Sequence, residues 1–253
     1  SPICICWPLV RLSDCWRLRS LEFKSLIVGP LYMSHPPKTE LPQSVIFDMD
    51  GTLLDTEVLA RKAFSVAIVA CGFPYDASIY DQCLGTTHDA TKKVLEAAYG
   101  ATFDIDELHV HWTKHFVEQA KENPIQIKPG ILQVLQALHA KGVPMAVATS
   151  NKRSVCVDAL AKAGIAEYFQ HYVCGGETAN SKPAADPYLA ATALLNADPK
   201  KSWGVEDSDV GTLSAVRAGL RVFQIPDELP PSAQTQALGH EIISSAEELL
   251  PLI

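Results

Sequence analysis

The chain has 253 residues, 47% of them hydrophobic and 20% charged, which is enough for one large or two small packed domains and excludes a disordered tail. Its 21 basic and 29 acidic residues give a formal net charge of −8 with no basic run, so neither nucleic acid nor an acidic membrane surface is an expected partner. No stretch approaches the roughly 18 uninterrupted apolar residues of a membrane span.

The first 32 residues differ from the rest. They hold three of the seven cysteines and two of the four tryptophans, and Arg11, Arg17, Arg19 and Lys24 outweigh Asp14 and Glu22. Their apolar run, ICICWPLV, comes before the charges, whereas a secretory signal has the reverse order. The segment 1–32 therefore reads as a non-native or extension segment ahead of a start at Met33. The cysteines show no C-x-x-C pair, which suggests reduced thiols and a cytoplasmic protein rather than a disulfide framework or zinc site.

From Ser44 onward strands and helices alternate. SVIFD is a short buried strand. A helix is predicted from Glu57, stopped by Gly72, with others at about 88–99 and 106–122, and no strand is expected within 56–128. Ile131, Leu135 and Leu138 keep helical spacing after Pro129-Gly130. Then follow strand VPMAVAT, helix RSVCVDALAKAG, strand HYVCG, helix DPYLAATALLNA, strand KSWGVED, helix VGTLSAVRAG and strand RVFQI. This order implies an α/β fold with a parallel sheet flanked by helices. The expected division is a core domain of residues 43–55 and 129–253, with an inserted all-α domain over 56–128.

In such sheets ligands lie beyond the carboxyl ends of the strands. Those ends carry Asp48 and Asp50, Thr149-Ser150-Asn151, Lys182, and Glu206-Asp207. A polar turn explains any one of them, but not all four. Together they offer a carboxylate nucleophile, a second carboxyl group for a leaving oxygen, oxygen ligands for a hard cation, and a lysine and hydroxyls for phosphoryl oxygens.

Four motifs, DMDGT at 48–52, ATSN at 148–151, KPAADPY at 182–188 and VEDSDVG at 205–211, stand in an order that resembles the haloacid dehalogenase (HAD) superfamily. The likeness is to its branch of small phosphatases and β-phosphoglucomutases with a helical cap. It implies a HAD-like Rossmannoid core and Mg²⁺-dependent hydrolysis of a small-molecule phosphate ester by a monomer. A sugar phosphomutase and a catalytically silent HAD-fold binding protein are the alternatives.

By this resemblance Asp48 is the nucleophile and Asp50 the general acid and base. Thr149 and the backbone N–H groups of Ser150 and Asn151 meet the phosphoryl group, with Gly51 and Thr52 in the same loop. Lys182 bridges Asp48 and the phosphoryl oxygens. Asp48, Asp50, Glu206 and Asp207 hold the metal. Asp50 argues for ester chemistry, since members that cleave carbon–halogen or carbon–phosphorus bonds lack it. Ala185 departs from the usual proline. Leu59, Ala60, Arg61 and His88 are candidates for the substrate-facing side of the cap. Ala60 and His88 stand where mutases carry a histidine and an arginine, which favours hydrolysis. His109, His111 and His115 fall on a helix, the last two four apart, and read as a solvated face rather than a metal site.

Overall fold

The computed structural model describes residues 40–84, 86, 88–122 and 125–253, with the side chains of His88 and Glu122 outside that description. The segment 1–32 lies outside the described residues.

Six strands form one parallel sheet in the order β5-β4-β1-β6-β7-β8. They are β1 (Val45–Phe47), β4 (Met145–Ala148), β5 (His171–Val173), β6 (Trp203–Glu206), β7 (Arg221–Gln224) and β8 (Glu241–Ile242). Every residue of β1, β4 and β6 is buried, because a parallel sheet covered by helices on both faces leaves no wet side. Side chains alternate across the sheet. Val45, Phe47, Met145 and Val147 share one cluster with Leu135 and Leu138 of α5 (Ile131–Ala140) and Leu160 of α6 (Arg153–Lys162). Ile46, Ala146 and Ala148 face the other way, against Tyr188 and Ala191 of α7 (Asp186–Leu194) and Ala215 of α8 (Asp209–Arg217). The second face is alanine-rich, which lets α7 and α8 pack close behind the strand ends that carry the polar residues.

Between β2 (Leu54–Asp55) and β3 (Gln126–Ile127) the chain forms α1 (Glu57–Ala70), α2 (Ala77–Cys83), α3 (His88–Tyr99) and α4 (Ile105–Glu122). These helices share a third cluster around Phe64, Ile68, Tyr80, Leu95 and Leu108. Phe64 packs on Tyr80 and Trp112 with ring centroids 4.9 and 5.2 Å apart. The Trp112 indole N–H donates to the Ala60 carbonyl at 3.0 Å, tying α4 to the start of α1.

Two expectations need correction. The stretch 56–128 is not free of strands, since β3 pairs antiparallel with β2. A two-residue strand carries no hydrophobic period, and its partner lies far off along the chain. A seven-residue helix, α2, also went unpredicted; its start is set by Asp76, which accepts from the Ser78 N–H at 2.8 Å. Among the described residues no helix is long and apolar enough to cross a membrane.

Candidate active site

The site begins where β1 stops. The Asp48 N–H donates to the Val205 carbonyl at 3.0 Å, which extends the β1–β6 ladder one residue and plants Asp48 at the sheet's carboxyl edge. Met49 turns into the core, 1% exposed, so Asp48 and Asp50 on either side of it both emerge on the other side of the chain. The loop then closes on itself: Leu53 and Leu54 N–H both reach the Met49 carbonyl at 2.9 Å, and Gly51 N–H reaches Leu54 O at 2.9 Å. Gly51 has φ +74°, and a Cβ there would lie 2.6 Å from Asp207 Oδ2, so both the turn and the close approach require glycine.

Lys182 arrives from the loop between β5 and α7. Its ammonium lies 2.5 Å from Asp48 Oδ1 and 2.6 Å from Glu206 Oε1, almost wholly buried. Glu206 is fully buried at the end of β6 and also accepts from the Tyr188 hydroxyl at 2.6 Å and from Ser208 Oγ at 3.2 Å. Asp207 accepts from the Thr52 hydroxyl at 3.1 Å. Oxygens of Asp48, Glu206 and Asp207 fall within 4.8 Å of one another.

Three carboxylates around one ammonium leave excess negative charge in a buried place. Burial, with Glu206 and Asp50 nearby, pushes Asp48 up to about 8 even though Lys182 pulls the other way. Burial, then Asp48 and Glu206, likewise holds the Asp207 carboxyl well above the usual range. Burial works against the Lys182 ammonium, but Asp48 and Glu206 outweigh it and raise its pKa. An all-oxygen donor set with this surplus of charge fits a hard divalent cation.

At the end of β4 the Thr149 N–H pairs with Val173 O, and Thr149 Oγ1 accepts from the Asn151 N–H at 3.1 Å. The Asn151 side-chain amide donates to Asp50 Oδ2 at 2.5 Å. The Asn151 side chain thus holds Asp50, whose pKa burial raises. Ser150 is exposed beside it.

On the helical side Arg61 is ion-paired with Glu228 at 2.6 Å and Asp81 at 2.7 Å. Leu59 is buried, and the Ala60 carbonyl is engaged by Trp112. Gly85, Thr87 and the His88 side chain lie outside the described residues. His111 and His115 stack with ring centroids 6.5 Å apart, and His115 pairs with Glu118 at 3.1 Å. Among the described residues the three-residue group able to hold a metal is Asp48, Glu206 and Asp207. Sequence reasoning missed Glu57, Tyr188 and the loop residues Asp227 and Glu228. Tyr188 ends the KPAADPY motif and could have been found there; Asp227 and Glu228 follow the last predicted strand with no motif to mark them.

A profile of the haloacid dehalogenase-like hydrolases matches residues 45–225, and the chain belongs to that family. Among characterised relatives, the phosphorylated carbohydrates phosphatase of Thermotoga maritima is 28% identical over 83% of this chain and 98% of its own length. Protein CbbY of Rhodobacter capsulatus is 34% identical over 74% of this chain and 86% of its own. A crystal structure of a CbbY variant from Rhodobacter sphaeroides in complex with xylulose-1,5-bisphosphate superposes with a TM-score of 0.69, at 29% identity, covering 83% of this chain and 96% of that one.

Proposed function

We propose that the protein is a Mg²⁺-dependent phosphatase of a small phosphorylated metabolite, a sugar phosphate or nucleotide-related monoester. The observation that carries this reading is the different treatment of the two aspartates. Asp48 lies against the Lys182 ammonium and the acidic group, whereas Asp50 is held by the neutral Asn151 amide. Burial and the acidic neighbours raise the Asp48 pKa, so its charged, attacking form would depend on Lys182 together with a divalent cation among the carboxylates, while Asp50, also raised by burial, can carry a proton.

An Asp48 carboxylate oxygen attacks phosphorus, forming an aspartyl-phosphate as the ester P–O bond breaks. Asp50 passes its proton to the departing alkoxide. Asp50 then takes a proton from water as that water attacks the aspartyl-phosphate, which releases inorganic phosphate and restores Asp48. Lys182 and the Thr149 hydroxyl bind phosphoryl oxygens, with the Ser150 N–H, Gly51 and Thr52 bounding the same pocket. Asp48, Glu206, Asp207 and the Asp50 carbonyl would hold Mg²⁺, which would supply positive charge against the phosphoryl oxygens. Glu206, which accepts from Lys182, Tyr188 and Ser208, also holds Lys182 in place beside the metal site. Helices α1–α4 act as the cap that covers the aspartates and chooses the leaving group.

The test is phosphate release from p-nitrophenyl phosphate with Mg²⁺, followed by a metabolite panel. Asp48→Asn is expected to lose more than about 10³-fold in kcat, because an amide of the same shape is a poor nucleophile. Turnover surviving in a variant shown by mass spectrometry to be free of deamidation would overturn the assignment.

A further inference from the structure

Two neighbouring acidic residues on the loop after β7 occupy two cations that border the catalytic loop. Asp227 Oδ1 lies 2.5 Å from the ammonium of Lys128, which follows β3 and is itself 4.0 Å from Asp55. Glu228 takes Arg61, one turn into α1, at 2.6 Å. Asp81 of α2 takes the same guanidinium at 2.7 Å, and the Tyr80 ring lies beneath it at 4.7 Å from the centroid. Glu57, at the head of α1, is pushed up to about 7 by burial and by Asp50, Asp227 and Glu228, with Arg61 opposing. Glu57 therefore lies near Asp50, Asp227 and Glu228, and Asp81 shares the Arg61 guanidinium with Glu228. Arg61 and Lys128 are already committed to carboxylates on both sides.

Resting on the phosphatase reading above, we propose that Arg61 sets specificity by being withheld from substrate. Clamped to Glu228, it joins α1 to the core loop, and the site takes esters with one phosphoryl group on an uncharged, hydroxyl-bearing leaving group. A second phosphoryl group would bring further negative charge close to Glu57, Asp227 and Glu228. To reach Arg61 it would also have to displace Glu228 and undo the contact between α1 and the core. Leaving-group hydroxyls meet no such opposition and can donate to Glu57. The same field weighs against a mutase, since returning a phosphoryl group to a sugar monophosphate makes a bisphosphate.

The experiment compares kcat and KM for fructose 6-phosphate with fructose 1,6-bisphosphate, and for glucose 6-phosphate with glucose 1,6-bisphosphate. p-Nitrophenyl phosphate serves as the reference for each variant. The monophosphates are expected to lead by about tenfold or more in kcat/KM. Glu228→Gln releases Arg61 from the core loop, leaving Asp81 of α2 as its charged partner, and should narrow that lead by about fivefold, the scale of a partly exposed ion pair, chiefly through KM for the bisphosphate. Adding Arg61→Gln to Glu228→Gln should restore the lead, which a general loosening of the fold would not do. The proposal falls if the unaltered enzyme prefers bisphosphates and Arg61→Gln abolishes that preference, or if Glu228→Gln leaves the ratio unmoved. Failure to hydrolyse p-nitrophenyl phosphate or any of the four esters would remove the phosphatase reading itself.

Discussion

Glu57 occupies a position where a carboxylate is costly. Burial and the like charges of Asp50, Asp227 and Glu228 push it up to about 7, against 4.5 for a free glutamate, while Arg61 only partly offsets them. Its proton is held more tightly in the folded than in the unfolded chain. The stability tied to that proton is complete below about pH 4.5 and is lost as pH rises through about 7. Allowing for the partial exposure of the group, Glu57→Gln should be worth about 1 kcal/mol above the window, or roughly 2–4 °C in Tm for a chain of this size. We expect Tm of Glu57→Gln to exceed that of the parent at pH 8 and to match it at pH 4.5, by thermal scans at fixed Mg²⁺. A gain of equal size at both pH values would show that something other than the charge is responsible.

At the scale of elements, the turn after β1 carries two constraints at once, a left-handed backbone and a close approach. An alanine at Gly51 keeps a left-handed backbone that costs an L-residue about 1–2 kcal/mol. It also places Cβ 2.6 Å from Asp207 Oδ2. Gly51→Ala should lower Tm by about 3–6 °C and raise the Mg²⁺ concentration needed for half-maximal activity, because Asp207 must swing away. An unchanged Mg²⁺ requirement would separate Asp207 from the metal. This turn was legible in the sequence because β1, β4 and β6 are buried apolar runs that end abruptly in Asp48, Thr149 and Glu206-Asp207. A parallel sheet places all such ends on one edge, so four motifs distant in sequence could be read as one site. Strands β2, β3 and β8 were not legible, since two residues have no period and owe their pairing to distant partners. Nor was the clamp on Arg61: Glu228 is 167 positions away, and nothing in either local stretch marks the pair. Arg61 was thus picked out as a residue near the site, while the structure shows it bound to two carboxylates.

The whole molecule carries a net charge of −8 and gathers buried Asp48 and Glu206 and half-buried Asp207 near a single ammonium. Folding without a cation therefore confines like charges that the unfolded chain keeps apart in water. A divalent ion that binds the folded form alone stabilises it by RT ln(1 + [L]/Kd), about 2.7 kcal/mol at a hundredfold excess over Kd. At roughly 2–4 °C per kcal/mol that becomes a rise of about 5–11 °C in Tm. General screening of a negatively charged protein would also raise Tm, so the comparison must be made against NaCl at equal ionic strength. Asp207→Asn removes one carboxylate, relieving the repulsion while weakening the ion site. Its metal-free Tm should thus equal or exceed that of the parent, and its response to Mg²⁺ should shrink to the NaCl level. Ca²⁺ should reproduce the thermal shift yet inhibit turnover, because its longer bonds and larger ligand number misplace Asp48. A Tm rise that survives in Asp207→Asn, or that NaCl reproduces in full, would place the ion elsewhere than among these carboxylates.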